Sequence, residues 1–295
     1  MAGAARVLVH VRRGGGVGGP APFGQSVTGT LCPAHEDAVL VNCRLHGDRF
    51  ILALPVPYHP STLQRPPFCP AKRLGQRGER PVATLEGSGV AVGVATLLQA
   101  SGGRILLTRR ARRLSTFPGL WVPPGGMVEP GEELLGVGLR ELQEETGLRL
   151  RAGGFSWRML GLWESVFPAL LSWGSPSRHS IVAYLLLRCA EPHEQLEARM
   201  RPSESEVSAY AWLEPPVLAA VAATEDGAEN LGSIPHALPA SIPITELSDG
   251  GARSTRIPTQ ILLRTIPTKG DDVERVSTGT KFALRLWLDS LGKQE

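Results

Sequence analysis

The chain has 295 residues, 42% of them hydrophobic and 20% charged, with a formal net charge of +3. That composition fits a globular protein with one large or two small cores, and it excludes a wholly disordered chain and a broad basic footprint for nucleic acid. No apolar run reaches the roughly 18 residues of a membrane-spanning helix.

In chain order, residues 1–80 form an N-terminal β-rich or partly irregular extension, with strands expected at Val7–Val11, Ala38–Asn42 and Phe50–Leu54 between Gly- and Pro-rich stretches. Residues 87–223 form the central domain. It opens with a hairpin, 87–102 followed by Arg104–Thr108, that turns at Gly102-Gly103. Phe155–Glu164, Ser180–Leu187 and Val207–Leu213 read as further strands, with an aromatic-bearing loop over 165–179, a polar link over 189–206 and a helix over Pro215–Ala223. Residues 224–295 form a C-terminal loop plus a packing helix, with 224–270 irregular and Gly279–Leu291 amphipathic. Four cysteines, Cys32, Cys43, Cys69 and Cys189, are widely spaced with no Cys-x-x-Cys pair, which predicts reduced thiols in an intracellular setting. Arg6, Arg12 and Arg13 precede the first acid, Glu36, as in a transit peptide. The strand-like alternation of ARVLVHVR favours the cytoplasm or nucleus over the mitochondrion.

The most informative stretch is GGMVEPGEELLGVGLRELQEETGL, residues 125–148. Pro130-Gly131 breaks the chain, Glu132 and Glu133 open a helical run, and Gly147 supplies a C-terminal glycine. Glu141, Glu144 and Glu145 stand at i, i+3 and i+4, so they share one helix face. Three anions that close repel one another unless a cation sits between them. Hard oxygen ligands of this kind suit Mg²⁺ or Mn²⁺, and Mg²⁺ in turn favours partners that bring phosphate oxygens.

The spacing from Gly126 through Glu132, Arg140-Glu141-Leu142 and Glu144-Glu145 to Gly147-Leu148 resembles the signature of the Nudix hydrolases at every specified position. The resemblance implies an α/β/α sandwich around a mixed β-sheet, the box forming a loop–helix–loop. It implies metal-dependent hydrolysis of a diphosphate linkage, with Glu141, Glu144 and Glu145 as metal ligands, Glu144 assisting the attacking water, and Arg140 orienting a glutamate by ion pairing. Over residues 66–295, the segments PPFCP, LLTRRAR, LWVPPGG, FSW, LGLWES, LSWG and ERVSTGTKFAL resemble one branch of that family. That branch implies the 5′ end of capped RNA as the partner, with release of a nucleoside diphosphate. A small nucleotide conjugate, such as an ADP-sugar or CoA-type molecule, is the competing substrate, and a non-hydrolytic nucleotide- or RNA-binding module is the competing class. Nothing points to a membrane or to a protein partner.

Outside the box, Arg109 and Arg110 close a strand just ahead of it, where a guanidinium can grip phosphate oxygens; the sequence does not choose between them. Trp163 and Trp173 are the candidate stacking surface for a base, and a methylated, cationic guanine adds cation–π attraction. Family members often draw another carboxylate from outside the box, for which Glu164 and Glu206 are the candidates here.

Overall fold

The computed structural model describes residues 6–13, 16–33, 35–55, 60–77, 89–227, 237–248, 251–266 and 274–292. The first elements are β1 (Leu8–Arg13), β2 (Gly16–Pro20), α1 (Val27–Leu31), β3 (Ala38–His46), β4 (Arg49–Ala53), β5 (Ser61–Gln64) and α2 (Pro70–Arg77). Next come β6 (Ala91–Gln99), β7 (Ile105–Arg110), β8 (Trp121–Val122), β9 (Gly125–Met127), α3 (Leu134–Thr146) and β10 (Phe155–Phe167). They are followed by β11 (Arg178–Cys189), α4 (His193–Arg199), β12 (Val207–Leu213), α5 (Pro215–Ala223), β13 (Ser241–Ser248), β14 (Gly251–Pro258) and α6 (Thr278–Leu291). The architecture is α/β with a mixed sheet.

The contacts divide the chain into two units, the first made of 1–95, 125–138 and 159–184, the second of 96–124, 139–158 and 185–295. In the first unit the strands run in the order β6, β11, β10, β5, β3, β4, β1, β2. A pairing of Leu8 with Ala91 brings β1 back to β6, so the path closes on itself. Parallel pairing joins β1 to β4 and β10 to β5, while β3 runs antiparallel to both β4 and β5. Val9, Val41, Phe50, Leu52, Leu63 and Leu162 fill the interior. The glycine pair ahead of the box has a steric reason: a Cβ on Gly125 would lie 2.3 Å from Val94 O, because β9 runs tight against β6.

In the second unit β7 pairs antiparallel with β12 from Ile105↔Leu213 to Arg110↔Val207, and with β8 at Thr108↔Val122 and Arg109↔Trp121. Ile105, Leu106, Leu107 and Leu185–Leu187 are continuous apolar runs, buried on both faces as such strands require. Helix α6 is capped by Ser277, whose hydroxyl accepts from Thr280 N, and Trp287 Nε1 donates to Gln99 Oε1 at 3.2 Å. Lys281 and Asp226, both almost wholly buried, pair at 2.8 Å.

Three segments differ from expectation. The polar link contains α4, whose one buried residue is Leu196. The expected C-terminal loop holds the β13–β14 hairpin, in register from Ser241↔Pro258 to Ser248↔Gly251. Its core contribution is Ile242, Ile244 and Ile257, and Pro243 between the first two disguises the alternation. Strand β10 continues to Phe167 before a 3₁₀ turn at Leu171–Trp173. Parts of the readings at 14–15, 87–88, 228–236, 249–250 and 267–270 lie outside the described residues.

Candidate metal and phosphate site

Ahead of the box helix, the Glu132 carboxylate accepts from Glu129 N at 2.9 Å and closes the Pro130-Gly131 turn. Glu133 O then accepts the first helical bond, from Val137 N, which is why α3 starts at Leu134 and not at Glu132. At the other end Gly147 takes φ +75° and donates to Gln143 O at 2.8 Å. A Cβ there would meet Arg201 N at 2.8 Å. Arg201 N itself donates to Thr146 O, and Ser203 N donates to Glu145 O, so the segment after α4 satisfies carbonyls at the helix C-terminus.

The three box carboxylates stand at three depths. Glu145 is buried, Glu141 is 12% exposed and Glu144 is 53% exposed. Arg140 Nη1 donates to Glu141 at 2.7 Å and to Glu144 at 3.0 Å. Glu145 Oε2 accepts from the Thr108 hydroxyl on β7 at 3.4 Å. Among the described residues no three His, Cys, Asp or Glu side chains are gathered closely enough to hold an ion. The convergence expected from i, i+3, i+4 spacing is thus shared out: Arg140 takes two carboxylates, and the third turns to Thr108. Carboxylate oxygen is nonetheless the donor chemistry that a divalent cation such as Mg²⁺ or Mn²⁺ takes. Burial raises the Glu141 carboxyl; the Arg140 hydrogen bond and charge oppose this, and Glu144 and Glu206 push it up further. An acid cluster partly stripped of water favours an added positive charge.

Of the two candidate arginines, Arg110 stands in the field of these acids. Arg110 lies within electrostatic reach of Glu145, Glu206 and Glu141, while its Nε donates to Thr116 O at 3.1 Å. Arg109 is directed elsewhere. Its Nε donates to Ser208 Oγ, its Nη1 to Glu274 and its Nη2 to Glu246, at 3.0, 3.2 and 3.1 Å, and its guanidinium stands 5.8 Å from the Trp121 ring centroid. The sequence could not separate neighbours that point to opposite faces of one strand.

Glu206, one of the two candidates outside the box, lies within electrostatic reach of both Glu141 and Arg110. Its carbonyl accepts from Ala111 N at 2.8 Å, which ties it to the end of β7. Glu164 is fully committed in the first unit. It accepts from Ser26 Oγ, Val27 N, Thr28 N and His179 Nε2, all at 2.8–2.9 Å. Because Gly24 N donates to His179 Nδ1, the ring proton sits on Nε2 and points at Glu164. Burial alone would raise the Glu164 carboxyl, but the His179 and Thr28 bonds outweigh it and hold the group at about 2. This is a structural carboxylate, not a free ligand.

Both candidate tryptophans belong to the first unit. Trp163 is 5% exposed on β10, packed as a core residue. Trp173 is half-buried in the 3₁₀ turn, with Nε1 buried and without a hydrogen-bond partner. Thr108 and Glu274 are the residues that sequence reasoning missed. Thr108 lies inside an apolar strand, and the Glu274 carboxylate bonds Trp121 and Arg109, 153 and 165 residues away along the chain.

The family model described as NUDIX domain matches residues 87–233. The chain is 54% identical over 258 residues to the m7GpppN-mRNA hydrolase NUDT17 of Homo sapiens, covering 86% of this chain and 79% of that protein. It is 45% identical over 295 residues to the protein of the same name from Xenopus laevis, covering 99% and 97%. To that of Danio rerio it is 46% identical over 289 residues, covering 97% and 96%. With the box intact at every signature position and this likeness running the length of the chain, the protein belongs to the Nudix hydrolases.

Proposed function

We propose that this hydrolase cleaves the diphosphate linkage of the methylguanosine cap on RNA and releases a nucleoside diphosphate. The observation that carries this reading is the 45% identity over 99% of the chain to a relative named as an m7GpppN-mRNA hydrolase. The compartment that goes with this substrate is intracellular, cytoplasmic or nuclear; no helix among the described residues is long and apolar enough to cross a membrane.

In this account Glu145 and Glu141 hold a divalent ion, Mg²⁺ or Mn²⁺, with Glu206 as the acid from outside the box. The ion, when bound, neutralises charge on the diphosphate oxygens and makes a water easier to deprotonate. Arg140, which bonds both Glu141 and Glu144, would have to release Glu141 for that carboxylate to serve as a ligand. Glu144, the most exposed of the three acids, takes the proton of the attacking water. The water oxygen bonds to one phosphorus while the bridging oxygen leaves with the other phosphate. Arg110 grips the phosphate chain.

The test is a substrate panel: methyl-capped RNA, unmethylated capped RNA, ADP-ribose and a CoA ester, each with Mg²⁺ or Mn²⁺. Nucleoside diphosphate from the methyl-capped RNA, at a kcat/KM above the other three, supports the reading. Preferred cleavage of ADP-ribose or the CoA ester overturns it in favour of a small conjugate. No product from any of them favours a binding role.

A further inference from the structure

The segment Glu274–Ser277 lies outside the residues matched by the family model, 87–233, yet it is laid against strand β8 just ahead of the box. Trp121 N donates to Arg275 O at 2.9 Å and Ser277 N donates to Trp121 O at 3.1 Å, a parallel bridge centred on Val276. The same segment sends one carboxylate inward. A single oxygen of Glu274 accepts from Trp121 Nε1 at 2.9 Å and from Arg109 Nη1 at 3.2 Å. Trp121 is fully buried, and Arg109 and Glu274 are 16% and 17% exposed, so these are shielded, charge-assisted bonds.

The consequence lies one residue along β7. Arg109 pairs with Trp121 and Thr108 with Val122, and the Thr108 hydroxyl reaches both Val122 O and Glu145. Arg110, on the other side of Arg109, faces the box acids. Locking Arg109 and Trp121 therefore sets the twist and register of β7 where it presents Thr108 and Arg110.

We propose that Glu274 is a positioning residue for the metal site. It acts through Arg109, Trp121 and Thr108 on Glu145, and residues 274–277 thereby complete a site that the box alone does not build. Arg109 is a strut in this arrangement, and Arg110 is the arginine left for substrate. The inference rests on the metal-ligand role of Glu145 proposed above, but its test uses no substrate.

The experiment titrates Mn²⁺ into the full-length protein and reads free Mn²⁺ by electron paramagnetic resonance. Glu274→Ala weakens Mn²⁺ about 10-fold, the low end of the effect of supporting residues around a metal. Glu274→Gln keeps an acceptor for Trp121 and Arg109 and recovers most of the affinity. Thr108→Val reproduces the loss and, combined with Glu274→Ala, adds little to it, because both act along one path. A folded Glu274→Ala protein that binds Mn²⁺ like wild type, with only its Tm lowered, overturns the proposal and makes Glu274 a packing contact. If Glu274→Ala does not fold, the same decision falls to Arg109→Lys, which keeps the charge but loses the guanidinium fork that holds Glu274 and should weaken Mn²⁺ in the same direction, whereas unchanged Mn²⁺ binding by the folded variant overturns the proposal. Wild type that binds no Mn²⁺ overturns the metal-site reading itself. Normal metal behaviour without cap hydrolysis overturns only the substrate.

Discussion

Arg109 and Arg110 are chemically identical and adjacent, yet strand geometry gives them opposite work. Arg109 meets Glu246, Glu274 and Ser208, whereas Arg110 meets the field of Glu145, Glu206 and Glu141. Arg110→Ala removes a charged donor from the phosphate side and costs substrate binding about 1.5–3 kcal/mol, a rise in KM of roughly 10- to 150-fold. Steady-state kinetics checks this, and an unchanged KM returns Arg110 to a structural role. The same logic of depth separates the glutamates. A buried acid beside Thr108 suits a fixed ligand, and the exposed Glu144, bonded here to Arg140, has the access to water that the proposed proton transfer needs.

At the scale of elements, the ends of α3 are set by single residues. Gly147 needs its left-handed φ and has no room for a Cβ beside Arg201. Gly147→Ala should therefore destabilise the fold by at least about 1 kcal/mol, seen as a lowered denaturant midpoint with an unchanged slope. Glu164 joins β10 to the start of α1 in the same decisive way, and it carries a pH signature. Its folded pKa lies below the ordinary 4.5, so its stabilisation is full above 4.5 and is lost as pH falls toward about 2. Thermal melts across that window should show Tm falling with acid in wild type, and a flatter dependence in a folded Glu164→Gln protein. Elements of this kind differ in how far they can be read ahead. Strand β12 and helix α5 fall where periodicity puts them, since VSAYAWL is a β-rich run and a proline starts PPVLAAVAA. The β13–β14 hairpin was hidden because Pro243 breaks its pattern, and α4 because Leu196, its single buried residue, makes no stripe. The box was legible because its chemistry is local to one helix. The choice of Arg110, the commitment of Glu164 and the reach of Glu274 depend on contacts distant in sequence, which no local pattern encodes.

At the scale of the whole molecule, the C-terminal segment is bound into the second unit by a buried ion pair. Lys281 donates to Asp226 at 2.8 Å and to Arg264 O at 3.0 Å, and Asp226 also accepts from Thr278 and Ile266 N. Lys281→Ala leaves Asp226 charged, buried and short of its cation, a loss of about 3–5 kcal/mol that chemical denaturation should register. A variant within 1 kcal/mol of wild type, on the usual scale of a surface change, would show that water replaces the lysine. The account as a whole stands on the box glutamates performing hydrolysis of the cap, and one comparison reaches it most directly. Wild type and Glu145→Gln are each incubated with methyl-capped RNA and Mg²⁺ or Mn²⁺, and the released nucleotides are separated. The account predicts nucleoside diphosphate from wild type and, with several kcal/mol of charge stabilisation gone, a rate about 10²–10⁴ lower from a folded Glu145→Gln protein. Equal rates from the two proteins, or no nucleoside diphosphate from wild type, would contradict it.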